Sequence, residues 1–238
     1  MAWKPKVVIL CGGMGTRLRE ETEIRPKPLV EVGGKPILWH VMKLYAARGF
    51  TDFVLCLGYK GSMIKEYFEK NNPEHWNIIF ADTGETTNSG GRIRRIEQYI
   101  DGDYFLATYG DGVSDLDMRE TVKFHLKHGE IATMTGVHPW SKYGKVVSDG
   151  RGHVLEFVEK PILEDRINGG FFVFSSKFFS YLGDDDVLEA GPFERLVRDG
   201  QLMLYEYDGF WHCLDTFKDK LDLEKMWKHG PKWKTWKD

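Results

Sequence analysis

The sequence predicts an α/β fold: a doubly wound, mostly parallel mixed sheet flanked by helices, with a smaller β-rich lobe in the second half. Three observations carry that prediction. The runs Val7-Val8-Ile9-Leu10, Phe53-Val54-Leu55-Cys56-Leu57 and Tyr104-Phe105-Leu106-Ala107-Thr108-Tyr109 are apolar without alternation, as strands covered on both faces are. Segments with apolar residues at helical spacing separate them. Each run ends in a glycine-bearing loop, beginning Cys11-Gly12, Gly58 and Gly110-Asp111, at the strand end where open α/β sheets bind ligands.

Bulk properties bound the rest. The 238 residues suit one domain, read as two halves over about 1–130 and about 131–238. Apolar content of 42% is enough to fill a sizeable core, and a net charge of −3 argues against a general nucleic-acid or anionic-membrane surface. Cys11, Cys56 and Cys213 are scattered, and two lie in or beside apolar runs, so buried free thiols in a reducing compartment are expected rather than disulfides or a metal site. No apolar run approaches the length of a membrane span, and no signal-peptide pattern opens the chain. A cytoplasmic protein is expected.

In chain order, the strand Lys6–Leu10 runs into Cys11-Gly12-Gly13-Met14-Gly15-Thr16-Arg17-Leu18. Glycines let backbone N–H groups approach an anion and tolerate positive φ. Arg17 adds a forked cation, and Lys27, in Arg25-Pro26-Lys27-Pro28, a mobile point charge. The plain alternative is a glycine-rich turn. A Walker A loop ends Gly-Lys-Ser/Thr, whereas this run ends Gly15-Thr16-Arg17. A dinucleotide fingerprint needs a glycine where Leu18 stands, which disfavours an oxidoreductase. Leu29–Val32 reads as a short strand, Ile37–Tyr45 as a helix stopping at Gly49, Phe53–Leu57 as a strand and Met63–Phe68 as a helix.

Trp76–Phe80 is the next strand, followed by Ala81-Asp82-Thr83-Gly84-Glu85-Thr86-Thr87-Asn88-Ser89-Gly90-Gly91 and a helix over Arg92–Ile100. That loop offers neutral hydrogen-bonding groups suited to a base edge, and the helix N-terminus beyond it favours an anion. It reads equally as a solvated turn with Ser89 as N-cap. Arg92, Arg94 and Arg95 read as including solvated surface charges as well as any functional one. Tyr104–Tyr109 ends in Gly110-Asp111-Gly112, where a carboxylate suits Mg²⁺ against phosphate oxygens or simply a tight turn. Asp115 and Asp117 are expected to cap a helix over Met118–Lys127.

The second half turns β-rich. Ile131–Val137 is a strand, Lys145–Val147 and Val154–Val158 pair around Asp149-Gly150-Arg151-Gly152, and Phe171–Phe174 is a strong strand after Ile167-Asn168-Gly169-Gly170. Helical signals return at Phe178–Leu182 and Pro192–Arg198, then a strand at Leu202–Tyr207. Thr216 with Asp219 forms a capping box for the last helix, so Asp215 reads either as part of that cap or as a second Mg²⁺ ligand. Trp227, Trp233 and Trp236 read as a packed or interface tail.

The ordered set Gly-Gly-x-Gly-Thr-Arg-Leu, Arg-Pro-Lys-Pro, Tyr-Gly-Asp-Gly-Val, Glu-Lys-Pro, Ile-Asn-Gly-Gly-Phe-Phe and Phe-Trp-x-x-x-Asp-Thr resembles the sugar-1-phosphate nucleotidyltransferases. Lys35–His40, Asp82-Thr83-Gly84 and Trp233-Lys234-Thr235-Trp236 are similar to the branch that joins CTP to glucose 1-phosphate. The resemblance implies a Rossmann-like sheet of the nucleotide-diphospho-sugar transferase type. It also implies Mg²⁺-assisted transfer of a cytidylyl group to a sugar 1-phosphate, giving a CDP-sugar for polysaccharide precursors. The catalytic residues it implies are Arg17, Lys27 and Lys160. Leu10, Cys11, Gly12, Gly13, Met14, Gly15, Thr16, Thr83, Ser89, Gly90 and Gly110 fall on the nucleotide, and Gly144, Glu159, Asn168 and Gly169 on the acceptor. Asp111 and Asp215 fall at the metal. Two features depart from that branch: the stretch from Phe68 to Asp82 is short, and His212-Cys213-Leu214 precedes Asp215. They leave another phosphorylated acceptor and a homo-oligomer as open alternatives, and UTP or dTTP as donor stays open because one sequence does not place the base-contacting groups. A regulatory nucleotide-binding protein on the same fold would lack one of Arg17, Lys27, Asp111 and Asp215, and all four are present.

Overall fold

The computed structural model describes residues 4–237. Its element order is β1 (Val7–Leu10), α1 (Arg19–Thr22), β2 (Glu31–Val32), β3 (Lys35–Pro36), α2 (Ile37–Ala46), β4 (Asp52–Leu57), α3 (Gly61–Lys70), β5 (Asn77–Asp82), α4 (Ser89–Arg95), β6 (Tyr104–Tyr109) and β7 (Gly112–Ser114). There follow α5 (Met118–His128), β8 (Ala132–Val137), β9 (Lys145–Ser148), β10 (Val154–Val158), β11 (Ile167–Ser175), α6 (Pro192–Arg198), β12 (Leu202–Tyr207), β13 (Trp211–Cys213) and α7 (Phe217–His229). Seven strands form one sheet in the order β12-β8-β11-β6-β1-β4-β5. β11 pairs antiparallel with β6 and β8, while the other pairings in this sheet are parallel. The second half therefore extends the sheet of the first, and the β9–β10 hairpin stands outside it, exposed along its length.

Alternate strand residues feed two cores, which is why the strands read as unbroken apolar runs. Val7, Ile9, Phe53, Leu55 and Leu106 pack on one face with α2 and α3. Val8, Val54, Cys56, Phe105, Ala107, Phe172 and Phe174 pack on the other with Ile93, Phe178, Phe179 and Leu196. A third cluster joins Leu18, Val30, Val32, Ile37, Val113, Leu214, Leu223 and Trp233 behind the ends of β1 and β6. It seats α7 and the C-terminal tryptophans on the first half of the chain. Trp233 is fully buried and donates to His40 Nδ1 at 3.4 Å, while His40 Nε2 donates to the Val32 carbonyl at 2.8 Å.

Local chemistry sets the helix ends. Asp117 caps α5 by accepting from Arg119 N at 3.0 Å, and α7 opens with the expected Thr216–Asp219 capping box. Asp115 does not cap: it accepts from Phe210 N at 2.8 Å and from the Tyr207 hydroxyl, tying β12 to β7. The helix expected from Arg92 starts earlier, at Ser89, with Asn88 as its N-cap residue. Of the stretch expected as a strand over Leu29–Val32, only Glu31–Val32 is extended, because Lys27–Leu29 forms a 3₁₀ turn with Pro28 in its first positions.

Chain order places the site. From β1 the chain runs outward through β4 and β5, then crosses back to β6 on the other side of β1. The loops after β1 and β6 thus leave adjacent strands in opposite directions, the arrangement that opens a ligand crevice. Leu10 lies beside Tyr109, and Gly110 N donates to the Leu10 carbonyl at 3.1 Å.

Candidate active site

The loop after β1 is built by its glycines. Gly12 is buried, and a Cβ there would lie 2.2 Å from Arg92 Nη1 and 2.9 Å from Gly58 N. Gly15 sits at φ 63°, and Leu18 N and the Thr22 hydroxyl both donate to its carbonyl. That turn carries the chain under itself and brings Lys27 back beneath the loop.

Two carboxylates meet Lys27 there. Its Nζ donates to Asp111 Oδ2 at 2.5 Å and to Asp215 Oδ1 at 2.9 Å, and its side chain is 12% exposed. Arg17 Nη2 reaches Asp215 Oδ1 at 3.0 Å. The β7–β13 pair places the two aspartates together: Cys213 lies opposite Gly112, and Leu214 N donates to the Asp111 carbonyl at 2.9 Å. Burial opposes ionisation of Asp215, but the hydrogen bond and charge of Lys27, with Arg17 and Lys142, outweigh it and hold the carboxyl below its usual range. For Lys27 burial pulls the ammonium down, and Asp111 and Asp215 together raise it above the usual lysine value. Both groups are therefore charged near neutrality.

A cavity of about 380 Å³ opens over this network. Its walls include Leu10, Cys11, Gly12, Gly13, Gly15, Thr16, Arg17, Lys27, Ser89, Gly110, Asp111 and Asp215, which joins most of the nucleotide-side and metal residues expected from the sequence. A second cavity of about 530 Å³ shares Asp215 and is lined by Trp140, Lys142, Lys160, Trp211, His212, Cys213 and Lys218 among others.

Asp111, Cys213 and Asp215 each bring a ligand atom within 4.8 Å of the others. Two carboxylates at that spacing fit Mg²⁺, which takes one or two protein oxygens and completes its shell with water and phosphate. The thiol is a poor donor for it. Burial, then the charges of Asp111 and Asp215, push the Cys213 thiol far above its usual value and keep it protonated.

Other expected residues stand elsewhere. Met14 is exposed and off the cavity lining. Thr83 is fully buried, and its hydroxyl donates to the Leu57 carbonyl at 2.6 Å and accepts from Arg92 at 2.8 Å, so it is not presented to the cavity. Gly90 packs beneath Asp186, whose carbonyl accepts from Gly90 N at 2.8 Å and Gly91 N at 3.1 Å. The N-terminus of α4 is thus occupied by the chain itself rather than open to an anion. The Ser89 hydroxyl lines the cavity but accepts from Leu188 N at 2.9 Å.

On the acceptor side only Lys160 lines the second cavity. It adopts φ 48° and pairs with exposed Glu159 at 2.9 Å. Gly144 lies under the Phe157 ring, Asn168 accepts from Gly170 N at 2.9 Å, and the Gly169 carbonyl accepts from Trp211 Nε1 at 2.8 Å.

Arg92 is the main residue that sequence reasoning passed over. It is 5% exposed, lines the first cavity, and donates to the Gly12, Leu57, Gly84 and Glu85 carbonyls and to Thr83 Oγ1. One guanidinium thereby fastens the glycine loop to the ends of β4 and β5. Tyr109 also lines the cavity, and its hydroxyl donates to Glu189. Its position directly before Gly110-Asp111 was the available signal, whereas nothing local marks Arg92 apart from Arg94 and Arg95.

Comparison with known proteins bears on these cavities. Residues 6–224 match the family model described as nucleotidyl transferase. The chain is 43% identical over 256 aligned residues to the glucose-1-phosphate cytidylyltransferase of Salmonella typhimurium, covering 97% of this chain and 99% of that protein. It is also 43% identical over 255 residues to a probable glucose-1-phosphate cytidylyltransferase of Bacillus subtilis, covering 97% and 100%. These alignments run longer than the 238 residues present, so the relatives carry positions that this chain lacks. Among solved structures, HddC from Yersinia pseudotuberculosis complexed with GMP-PN superposes with a TM-score of 0.75 at 26% identity, covering 94% of this chain and all of that one.

Proposed function

The chain belongs to the nucleotidyl transferase family, and from that premise we propose that it transfers the cytidylyl group of CTP to glucose 1-phosphate, releasing pyrophosphate and CDP-glucose. The observation that carries this reading is the convergence of the glycine loop, Arg17, Lys27, Asp111 and Asp215 on one cavity, in a chain 43% identical over nearly its whole length to cytidylyltransferases of that specificity. Neither the short stretch after Phe68 nor His212-Cys213-Leu214 keeps the likeness from spanning 97% of the chain.

The chemistry asks for alignment and charge neutralisation. The acceptor phosphate is an anionic nucleophile at neutral pH and needs no general base. It attacks the α-phosphorus in line, a P–O bond to the acceptor oxygen forms, the bond to the bridging oxygen breaks, and pyrophosphate leaves with that electron pair. The glycine loop and Arg17 hold the outer phosphates, and Lys27 neutralises charge at the α-phosphate. The second cavity receives the sugar phosphate, with Lys160 on its anionic end and Lys142 and Lys218 nearby. Sharing Asp215 between the two cavities puts their contents side by side. Asp111 and Asp215 would hold Mg²⁺, which when bound supplies charge neutralisation on the nucleotide phosphates. We read residues 1–238 as one catalytic unit with a nucleotide half and an acceptor half. Free thiols at Cys11, Cys56 and Cys213 favour a reducing compartment, and we place the enzyme in the cytoplasm. Among the described residues no helix is long and apolar enough to cross a membrane.

Pyrophosphate release with Mg²⁺, crossing CTP, UTP, dTTP, ATP and GTP against a panel of sugar 1-phosphates, tests the proposal. Release with CTP and glucose 1-phosphate above every other pair is expected. Preference for another nucleotide or another acceptor overturns the corresponding half of the reading.

A further inference from the structure

Lys27 stands where the proposed metal needs to be. Its ammonium spans Asp111 Oδ2 at 2.5 Å and Asp215 Oδ1 at 2.9 Å, and those carboxylates are the only groups in the cluster that suit a hard divalent ion. With Arg17 on Asp215 at 3.0 Å, two positive side chains already balance two negative ones. A free divalent ion entering this set brings two further positive charges against a largely buried ammonium that has no other carboxylate within ion-pair reach among the described residues. A metal–triphosphate complex would bring its own anion to pair with Lys27 and Arg17, which would leave the carboxylates of Asp111 and Asp215 to hold the metal.

We infer that Lys27 is the site's internal counter-cation: it excludes free divalent metal and makes the enzyme take its metal only as the metal–nucleotide complex. The inference rests on the nucleotidyl-transfer reading of the site and adds a second duty to a residue whose first is charge neutralisation at the α-phosphate. The same ammonium that guards the carboxylates is delivered to the phosphate when the complex arrives, so the lysine is in catalytic position only when the metal is.

The test uses Mn²⁺ as a spectroscopic substitute for Mg²⁺, titrated into the full chain with no nucleotide and followed by electron paramagnetic resonance. Wild type is compared with Lys27→Met, which keeps the length and removes the charge, and with Lys27→Gln as a second neutral variant. Circular dichroism and the thermal transition check that each is folded. Removing one like charge about 4 Å away is expected to raise affinity for free Mn²⁺ at least about tenfold after screening. Adding Asp215→Asn to Lys27→Met is expected to abolish that gain, which places the ion between these carboxylates. Equal affinity in wild type and the folded neutral variants overturns the inference. So does a wild-type chain that binds free Mn²⁺ more tightly than the complex of Mn²⁺ with inorganic tripolyphosphate, a result that needs no variant. Because no nucleotide substrate is present, failure here leaves the cytidylyl-transfer reading to its own pyrophosphate assay.

Discussion

Gly12→Ala tests whether Arg92 holds the nucleotide loop in place. The new Cβ would stand 2.2 Å from Arg92 Nη1, 2.4 Å from its Cζ and 2.9 Å from Gly58 N. Ordinary contact needs well over 3 Å, so the guanidinium must retreat by about 1 Å or more. That carries the Arg92 contacts to the Gly84 carbonyl at 2.7 Å and to Thr83 Oγ1 at 2.8 Å beyond hydrogen-bond range. It also leaves a buried cation short of acceptors. Each lost hydrogen bond to a charged group costs about 1.5–3 kcal/mol and overpacking adds to that, so we expect a loss of at least about 3 kcal/mol, the lower limit of the two lost contacts alone. For a chain of this size that is roughly a 6–12 °C fall in Tm. Urea denaturation gives the stability and calorimetric titration the affinity for CTP, which should weaken with it. The double variant Gly12→Ala/Arg92→Ala relieves the clash, so its destabilisation should fall well short of the sum of the two single changes. Gly12→Ala with wild-type stability and CTP affinity, or strict additivity in the double variant, refutes the reasoning.

Three further outcomes are expected. Lys27→Ala and Asp111→Ala should each lower pyrophosphate release on the order of a hundredfold or more, the scale of one lost electrostatic contact at a transition state, and near-normal turnover in either removes that residue from the chemistry. Burial lowers His40 to about 4, and burial followed by the charge of His128 lowers His125 to about 4. Between pH 6.5 and 4 the unfolded chain therefore takes up protons that the folded chain refuses. Stability should be full above that window and fall as pH drops through it, by about 3 kcal/mol for His40 alone, and the slope measured in urea melts should flatten in His40→Gln. Trp233→Ala should cost about 3–5 kcal/mol, because it empties a fully buried site that joins the C-terminal segment to α2, and a change below 1 kcal/mol would show that the segment is not part of the fold's stability.

The parts of the site that were legible in the sequence share one property: the local backbone dictates them. A strand that ends in glycines announces a loop of close approach whatever lies elsewhere in the chain, and Gly12, Gly15 and Gly110 stand where that logic puts them. Asp111 follows from its place after β6, and Thr216–Asp219 from its capping spacing. The parallel order of the first strands followed from unbroken apolar runs, because covering both sheet faces removes alternation. The antiparallel β11 and the two-residue approach of β13 to Asp215 had no such signature, since strand direction within a mixed sheet leaves no mark on composition.

Polar side chains are different, because each has few donors and acceptors and its partners are chosen by the whole fold. The loop over residues 81–91 looked open to a base and an anion on composition, yet Thr83 spends its hydroxyl on Leu57 and Arg92, and the Gly90 and Gly91 N–H groups go to Asp186. Those partners lie far along the chain, so no window of sequence contains the exchange. Arg92 makes the converse point. Surrounded by other arginines it resembles a surface charge, but the missing Cβ atoms of Gly12 and Gly58 leave room for its guanidinium between three loops. The same reasoning explains Lys27. Asp111 and Asp215, 84 and 188 residues away, each read from sequence as a candidate metal ligand, and only the folded chain shows that both meet at one ammonium. Residue types at strand ends therefore identify what a site can bind, while the order in which its charges are exchanged depends on contacts that only the folded chain makes.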